Sequence, residues 1–415
     1  MKILLVGGGG REHALAKALI RDPIVTELHC APGNPGIAEL ATLHKVDLKN
    51  ASEIASLAFE LSADLVVIGP EAPLVHGAAD AIRALGIACF GPSKLAAQLE
   101  GSKDFAKKVM SDAGVPTAQS LTCHSKEEIE KALDKFGPPF VVKHDGLAAG
   151  KGVVVTEDRK AALHHALKSS RVVIEEYLDG QEISLFGISD GETVIAMQPA
   201  QDFKRAYDGD EGPNTGGMGA YSPLEWAPLD VESETLEKVL QPTIKEMTNR
   251  GTPFIGLLYA GLALTSHGLK VIEFNARFGD PETQVLLPRL KTPLANLLYA
   301  AATGKLRDFA PLEWSSQSAV TVVLAAKNYP ASPVVGDEVK LSQEIDNAEV
   351  FHAGTTQVDG TLRSNGGRVL SVTGMGKSLR EARDRAYAGI AQIELPGSFY
   401  RNDIALKASQ VEKRK

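Results

Sequence analysis

The stretch from Val141 to Val155, VVKHDGLAAGKGVVV, sets two β-branched runs on either side of Gly146, Ala148, Ala149, Gly150 and Gly152. β-branched residues favour extended backbone, so the pattern predicts strand, small-residue loop, strand. A loop without bulky side chains can lay its N–H groups against the oxygens of an anion. Lys143 on the entering strand and Lys151 at the loop's end add two cationic heads, and the whole suits a polyanion. It is not a P-loop, which needs four residues between its glycines, then Lys and Ser or Thr, then a helix. Here Leu147, Ala148 and Ala149 alone separate Gly146 from Gly150, Gly152 follows the lysine, and a strand comes next. Taken alone, the stretch also reads as a Gly-rich hairpin with surface lysines, so the rest of the chain must decide.

The first hundred residues alternate apolar strands with helical patterns: KILLV, Glu12 to Ile20, VTELHC, Ser52 to Leu61, DLVVIG, Gly77 to Leu85, IACFG. Such alternation predicts a doubly wound parallel sheet with right-handed crossovers. Ligands then bind at the carboxyl ends of the strands, here Gly7 to His13, Pro32 to Gly36 and Gly69 to Pro73. A dinucleotide fingerprint fails, because Glu12 or His13 stands where its third glycine belongs, and HCAPGN replaces the acidic end of the second strand. A small phosphorylated substrate at the following helix amino terminus is expected instead.

At 415 residues the chain predicts about three domains. Hydrophobic residues at 44% and charged residues at 23% are values for a globular enzyme with a sizeable core. The formal charge of −8 argues against a general nucleic-acid binder, so any phosphate binding is local. Cys30, Cys89 and Cys123 show no metal or redox spacing and are read as structural thiols of a cytoplasmic protein. No signal-peptide core and no apolar run near the ~20 residues of a membrane span is found.

A helix is predicted from Lys94 to Ala113, stopped by Gly114 and Pro116, with Lys103 inside it. A small α+β module follows, from about 117 to 188. A polar, glycine-rich insert runs from Gln201 to Ser222, a helix from Glu232 to Arg250, and a fresh β pattern begins after about 316. The expected domains are therefore 1–102, 103–315 and 316–415, the last a separate closing unit.

Two further stretches carry chemistry. VVIEEYLDG at 172–180 ends in acids, an aromatic and a leucine, with Glu182 two residues on. Adenine needs an apolar slot with a donor and an acceptor at its edge, and a ribose diol needs a carboxylate. Glu175, Glu176, Tyr177 and Leu178 suit the first and Glu182 the second; a solvated strand end is the other reading. In VIEFNARFGDPETQ at 271–284, Glu273 and Asn275 are two apart on a strand and share a face. Two oxygen ligands with the other positions left to water and phosphate is how Mg²⁺ is held. Arg277 continues that face, where it can stabilise a transferred phosphoryl group.

In this order the loop, the EEYL strand and the Glu-x-Asn strand resemble the ATP-grasp superfamily of carboxylate-amine ligases. GGGGREHAL (7–15), GPEAPLV (69–75), GPSKLAAQLEGSKDFAK (91–107), DGLAAGKGVVV (145–155), QDFKR (201–205), GPNTGGMGAYSP (212–223) and EFNARFGDPETQ (273–284) are similar to the phosphoribosylamine-glycine ligase family, as are HAGT (352–355) and GRVLSVTG (367–374). The resemblance implies an ATP-grasp fold, α/β and α+β in several domains, with an amino-terminal doubly wound domain and a carboxyl-terminal β-rich closing domain. It implies that Lys103, Lys143, Gly146, Ala149, Gly150 and Lys151 contact ATP phosphates, Glu175 to Leu178 the adenine, and Glu182 the ribose. Glu273 and Asn275 would hold Mg²⁺ or Mn²⁺, and Arg277 with Lys151 would be catalytic.

Gly8, Gly9, Gly10, Arg11, Asn34 and Glu71 are expected to bind phosphoribosylamine. Lys204, Arg205, Asn214, Asp280 and Glu282 complete the substrate contacts. The implied partners are ATP, glycine and 5-phosphoribosylamine, with one activity and a monomeric chain. His144 and Ala276 depart from the family pattern, and LLYAGLALT offers no third carboxylate for the metal. Another ATP-grasp ligase would lack the GPNTGGMGAYSP insert, and a non-catalytic nucleotide-binding module would not need Arg277.

Overall fold

The computed structural model describes residues 1–147, 152–341 and 347–411. Ala149, Gly150 and Lys151 lie outside the described residues.

The amino-terminal alternation forms a five-stranded parallel sheet, in the spatial order Thr42–Leu43, Glu27–Pro32, Lys2–Gly7, Leu65–Ile68, Ala88–Phe90. Its central strand is buried on both faces at Ile3, Leu4, Leu5 and Val6, as a parallel strand between helices must be. The Gly33 N–H donates to the Gly7 carbonyl at 3.0 Å and the Gly69 N–H to the Val6 carbonyl at 2.9 Å, so three strand ends meet in one crevice. Gly8 is required there by space, since a Cβ would lie 2.4 Å from the Gly33 carbonyl oxygen.

The helix expected over 94–113 is two helices, Gln98–Gly101 and Lys103–Asp112. Ser102 breaks the run in extended conformation and its hydroxyl caps the second helix by accepting from the Phe105 N–H at 3.2 Å. Apolar periodicity passes through such a break unmarked. Residues 120–175 then form a four-stranded antiparallel sheet, in the order Ser120–Cys123, Val172–Glu175, Phe140–His144, Val153–Thr156. This module has its own core around Cys123, Ile129, Leu133, Val142 and Ile174.

A second antiparallel sheet orders Val194–Ala196, Gln181–Asp190, Ile255–Thr265 and Gly268–Asn275. The helical run over 231–249 carries a π segment, Leu236–Leu240, directly before Pro242, which has no N–H for an ordinary helical bond. After 316, Thr355–Val358 and Thr361–Ser364 pair as a hairpin, and the larger sheet there also takes in strands of the insert. Insert strands Gln201–Asp202 and Gly219–Ser222 extend Ser318–Ala325, Arg368–Gly376 and Ala348–His352, with Gly219 opposite Val322. One apolar cluster accordingly spans residues of both regions, from Leu99 and Phe274 to Val320, Val372 and Ile390.

The amino-terminal helix Gly10–Ile20 packs on the strand Ala348–His352 through His13, whose Nδ1 accepts the His352 N–H at 2.8 Å. Burial first, then His352 and Lys17, lower the His13 pKa from 6.5 to about 2. An unfolded chain takes up this proton below pH 6.5 while the folded one does not, so the stability contribution is present above 6.5 and lost as pH falls. From pH 7 to pH 5 it should amount to about 2 kcal/mol. Urea unfolding of His13→Gln, whose amide oxygen can still accept from His352, should show that much less acid sensitivity than wild type. Equal sensitivity of the two would contradict the buried neutral imidazole.

Candidate active site

The strand Gly268–Asn275 pairs antiparallel with Ile255–Thr265, with Glu273 opposite Gly261 and Asn275 opposite Tyr259. The two-residue spacing puts both side chains into a cavity of about 2030 Å³ between the domains. Neither side chain has a hydrogen-bond or ion-pair partner among the described residues. Two unengaged oxygen donors in a phosphate-sized cleft fit a hard divalent cation. No group of three or more His, Cys, Asp or Glu able to hold a metal occurs among the described residues.

Lys103, Lys143, Gly146, Glu175, Glu176, Tyr177, Leu178 and Glu182 line the same cavity. Lys103 opens its helix and donates to the Gly146 carbonyl at 3.1 Å. Lys143 is 4% exposed, lies 2.5 Å from Glu175 Oε1 and donates to the Ile272 carbonyl at 2.9 Å, which ties it to the metal strand. Burial opposes its charge, yet Glu175 and Glu273 outweigh burial and raise its pKa. The Glu175 carboxylate is not free for a base: it is 3% exposed and lies between Lys143 and Lys107, the latter 2.7 Å from Oε2 but off hydrogen-bonding angle. These lysines overcome burial and lower its pKa. Glu176 accepts from Lys270 at 3.0 Å and from the Gln119 N–H at 3.1 Å, while Tyr177 is exposed.

Arg277 stands on the cavity wall between Glu100, 3.0 Å from Nη2, and Glu71, 3.5 Å from Nε. Burial works against its charge and the two carboxylates prevail, raising its pKa. Asp280 accepts from Gln284 at 2.7 Å and from Arg368 Nη2 at 2.9 Å. Arg368 and Arg11 outweigh its burial and lower its pKa, keeping it anionic. Glu282 is raised instead, by burial and then by Asp202, and accepts from the Ser184 hydroxyl at 3.1 Å.

From the insert, Lys204 lies 2.9 Å from Asp202 and 3.3 Å from Glu182, and Arg205 donates to the Gly212 carbonyl at 2.8 Å. Asn214 joins them in the cavity wall, opposite Arg205 in a short hairpin.

Arg11 and Glu71 bring the amino-terminal crevice to the cavity, whereas Gly8, Gly9, Gly10 and Asn34 are not in its lining. Glu12, the residue that breaks the dinucleotide fingerprint, accepts the Gly9 N–H at 2.6 Å as a capping carboxylate. Asn34 spends its amide on the Gly8 and His352 carbonyls, both at 2.9 Å, and its oxygen on the Ile37 N–H at 3.0 Å. It braces the crevice.

The residues missed in the sequence are the counter-ions and clamps: Glu100, Lys107, Asp202, Tyr259 and Arg368, all in the lining. Lys107 was accessible, one helical turn from Lys103 on the same face. Glu100, Asp202 and Arg368 fall inside stretches already singled out, where nothing local marks the distant charge each one meets, and Tyr259 lies on an apolar strand without a signal of its own.

A lysine-lined nucleotide cleft between two antiparallel sheets, with a Glu-x-Asn strand on its floor, defines an ATP-grasp ligase. The chain belongs to the phosphoribosylglycinamide synthetase family: residues 1–100 match its N domain, 101–283 its ATP-grasp (A) domain and 319–407 its C domain. It is 62% identical over 414 residues to the phosphoribosylamine–glycine ligase of Streptomyces coelicolor, covering 99% of this chain and 100% of the relative. With the Mycobacterium tuberculosis ligase it shares 53% over 420 residues, covering 99% of each. The crystal structure of the Thermotoga maritima ligase superposes with a TM-score of 0.86 at 33% identity, covering 98% of this chain and 100% of that one. A biotin carboxylase domain from Hydrogenobacter thermophilus, at TM-score 0.73 and 17% identity over 96% of this chain and 91% of that one, shares the fold.

Proposed function

We propose that this chain joins glycine to 5-phosphoribosylamine at the expense of ATP, giving glycinamide ribonucleotide, ADP and phosphate in purine synthesis. The observation that carries the site assignment is one cavity holding Lys103 and Lys143, the unengaged Glu273 and Asn275, Arg277, and the crevice residues Arg11 and Glu71. A carboxylate is a poor electrophile. The γ-phosphoryl group is therefore first passed to the glycine carboxylate, forming a glycyl phosphate, and the amine then attacks its carbonyl carbon and expels phosphate.

No protein nucleophile is required; positioning and charge stabilisation suffice. Lys103 and Lys143 receive the ATP phosphates, with Lys151 assigned beside them from the sequence. Glu176 to Leu178 border the adenine and Glu182 the ribose. Arg277 faces the transferred phosphoryl group. Arg11 and Glu71 take the sugar phosphate's end of the cleft, and the anionic Asp280 accepts from a substrate amine. Glu273 and Asn275 would hold Mg²⁺ or Mn²⁺, which when bound neutralises phosphate charge.

The proposed state is a cytoplasmic monomer acting on small molecules, without nucleic acid or membrane. The free, buried thiols of Cys30, Cys89 and Cys123 support that compartment, and no described helix is long and apolar enough to cross a membrane. The test is ADP release with ATP, glycine and freshly formed phosphoribosylamine, each omitted in turn, with the product weighed by mass spectrometry. Release should need all three. Faster turnover with another acid or amine would refute the substrate assignment.

A further inference from the structure

We propose that Glu100 is the positioning residue for Arg277, holding its guanidinium at the angle from which it meets the transferred group; this rests on the ligase reading above. Glu100 lies in the short helix Gln98–Gly101, just ahead of Lys103. Its side chain is 8% exposed, and both oxygens are committed. Oε2 accepts the Ala276 N–H at 2.8 Å, and Oε1 lies 3.0 Å from Arg277 Nη2. The carboxylate thus grips two consecutive residues directly after Asn275.

Glu71, the second carboxylate beside Arg277, is placed differently. It is 35% exposed, lines the cavity and stands 3.5 Å from Nε. Arg277 Nε is buried and has no hydrogen-bond partner. A buried donor without an acceptor is costly and is retained where a ligand completes it. One counter-ion is tight and interior, the other loose and open to the cleft. Arg277 therefore keeps Glu100 throughout and offers its Nε edge to a carboxylate or phosphoryl oxygen of the substrate. Without the interior charge, Glu71 becomes the stronger anion and draws the guanidinium toward the open cavity.

Glu100→Gln keeps an oxygen for the Ala276 N–H and removes the charge opposite Arg277. Its kcat should fall about 10- to 100-fold, with the KM for ATP close to wild type. Glu100→Asp, which keeps the charge, should recover part of the loss. In an Arg277→Ala background the same Glu100→Gln change should alter kcat by less than about twofold, because the two act as one unit. A wild-type kcat in Glu100→Gln, or an undiminished loss without Arg277, overturns the proposal.

Should Glu100→Gln fail to fold, Glu100→Asp carried through the same cycle gives a smaller loss that again vanishes without Arg277. A second readout is independent of the reaction. The Nε–H NMR signal of Arg277, assigned by its disappearance in Arg277→Lys, should shift and exchange faster in Glu100→Gln or Glu100→Asp than in wild type. An unchanged signal refutes the positioning role. A wild type that releases no ADP with glycine and phosphoribosylamine refutes the ligase reading and leaves this signal to decide the role of Glu100.

Discussion

Glu273→Gln is expected to remove turnover while leaving the fold intact. The carboxylate makes no hydrogen bond or close ion pair among the described residues and acts on Lys103 and Lys143 only across the cleft, so its loss breaks no bond in the protein, and the unfolding midpoint should stay within about 4 °C of wild type. What it removes is one of two oxygen donors on the floor of the cleft. A bound divalent cation contributes several kcal/mol of charge stabilisation, so ADP formation should fall on the order of 10²- to 10⁴-fold. Raising the metal concentration should restore part of the activity, because the Asn275 oxygen remains. ADP release at wild-type rate and ordinary Mg²⁺ would remove Glu273 from the metal site.

The second large effect falls on stability. Glu175→Gln leaves Lys143 and Lys107, 4% and 11% exposed, without the carboxylate that lies between them. Breaking a buried ion pair from one side costs about 3 to 5 kcal/mol, since the remaining charges stay desolvated. The sheet of residues 120–175 and the helix Lys103–Asp112 are joined through this carboxylate, so the unfolding midpoint should drop and ATP-analogue affinity should weaken with it. The folded pKa of Glu175 is below its ordinary value, because Lys143 and Lys107 outweigh the burial that opposes them. Its contribution is therefore present above pH ~4.5 and lost as pH falls through the folded value, so the gap between variant and wild type should close in acid. A Glu175 that served only as an adenine contact would change ATP affinity and leave the unfolding midpoint where it was.

Three features were legible from the chain alone, each set by neighbours close in sequence. The alternation from KILLV to IACFG determines a parallel sheet, because each apolar run must be buried and each crossover must return in the same sense. The spacing of Glu273 and Asn275 determines a shared face, because a strand repeats every two residues. The β-branched runs on either side of the small residues determine two strands, which pair antiparallel from Phe140 opposite Thr156 to Lys143 opposite Val153, because such side chains favour extended backbone.

Tertiary structure alone decided which charges meet. Glu175 and Glu273 look alike in sequence, two acids at strand ends. One is held between Lys107 and Lys143 at contact distance, while the other faces open cleft with no hydrogen bond or close ion pair among the described residues. The break at Ser102, the sheet shared across residue 316, and the delivery of Glu100 and Arg368 to opposite sides of the 276–280 turn were likewise settled by packing. Local periodicity reports which side of an element is apolar. The partner of a buried charge is chosen by elements that arrive from far along the chain, and only their assembly sets whether that charge is held in place or left for a substrate.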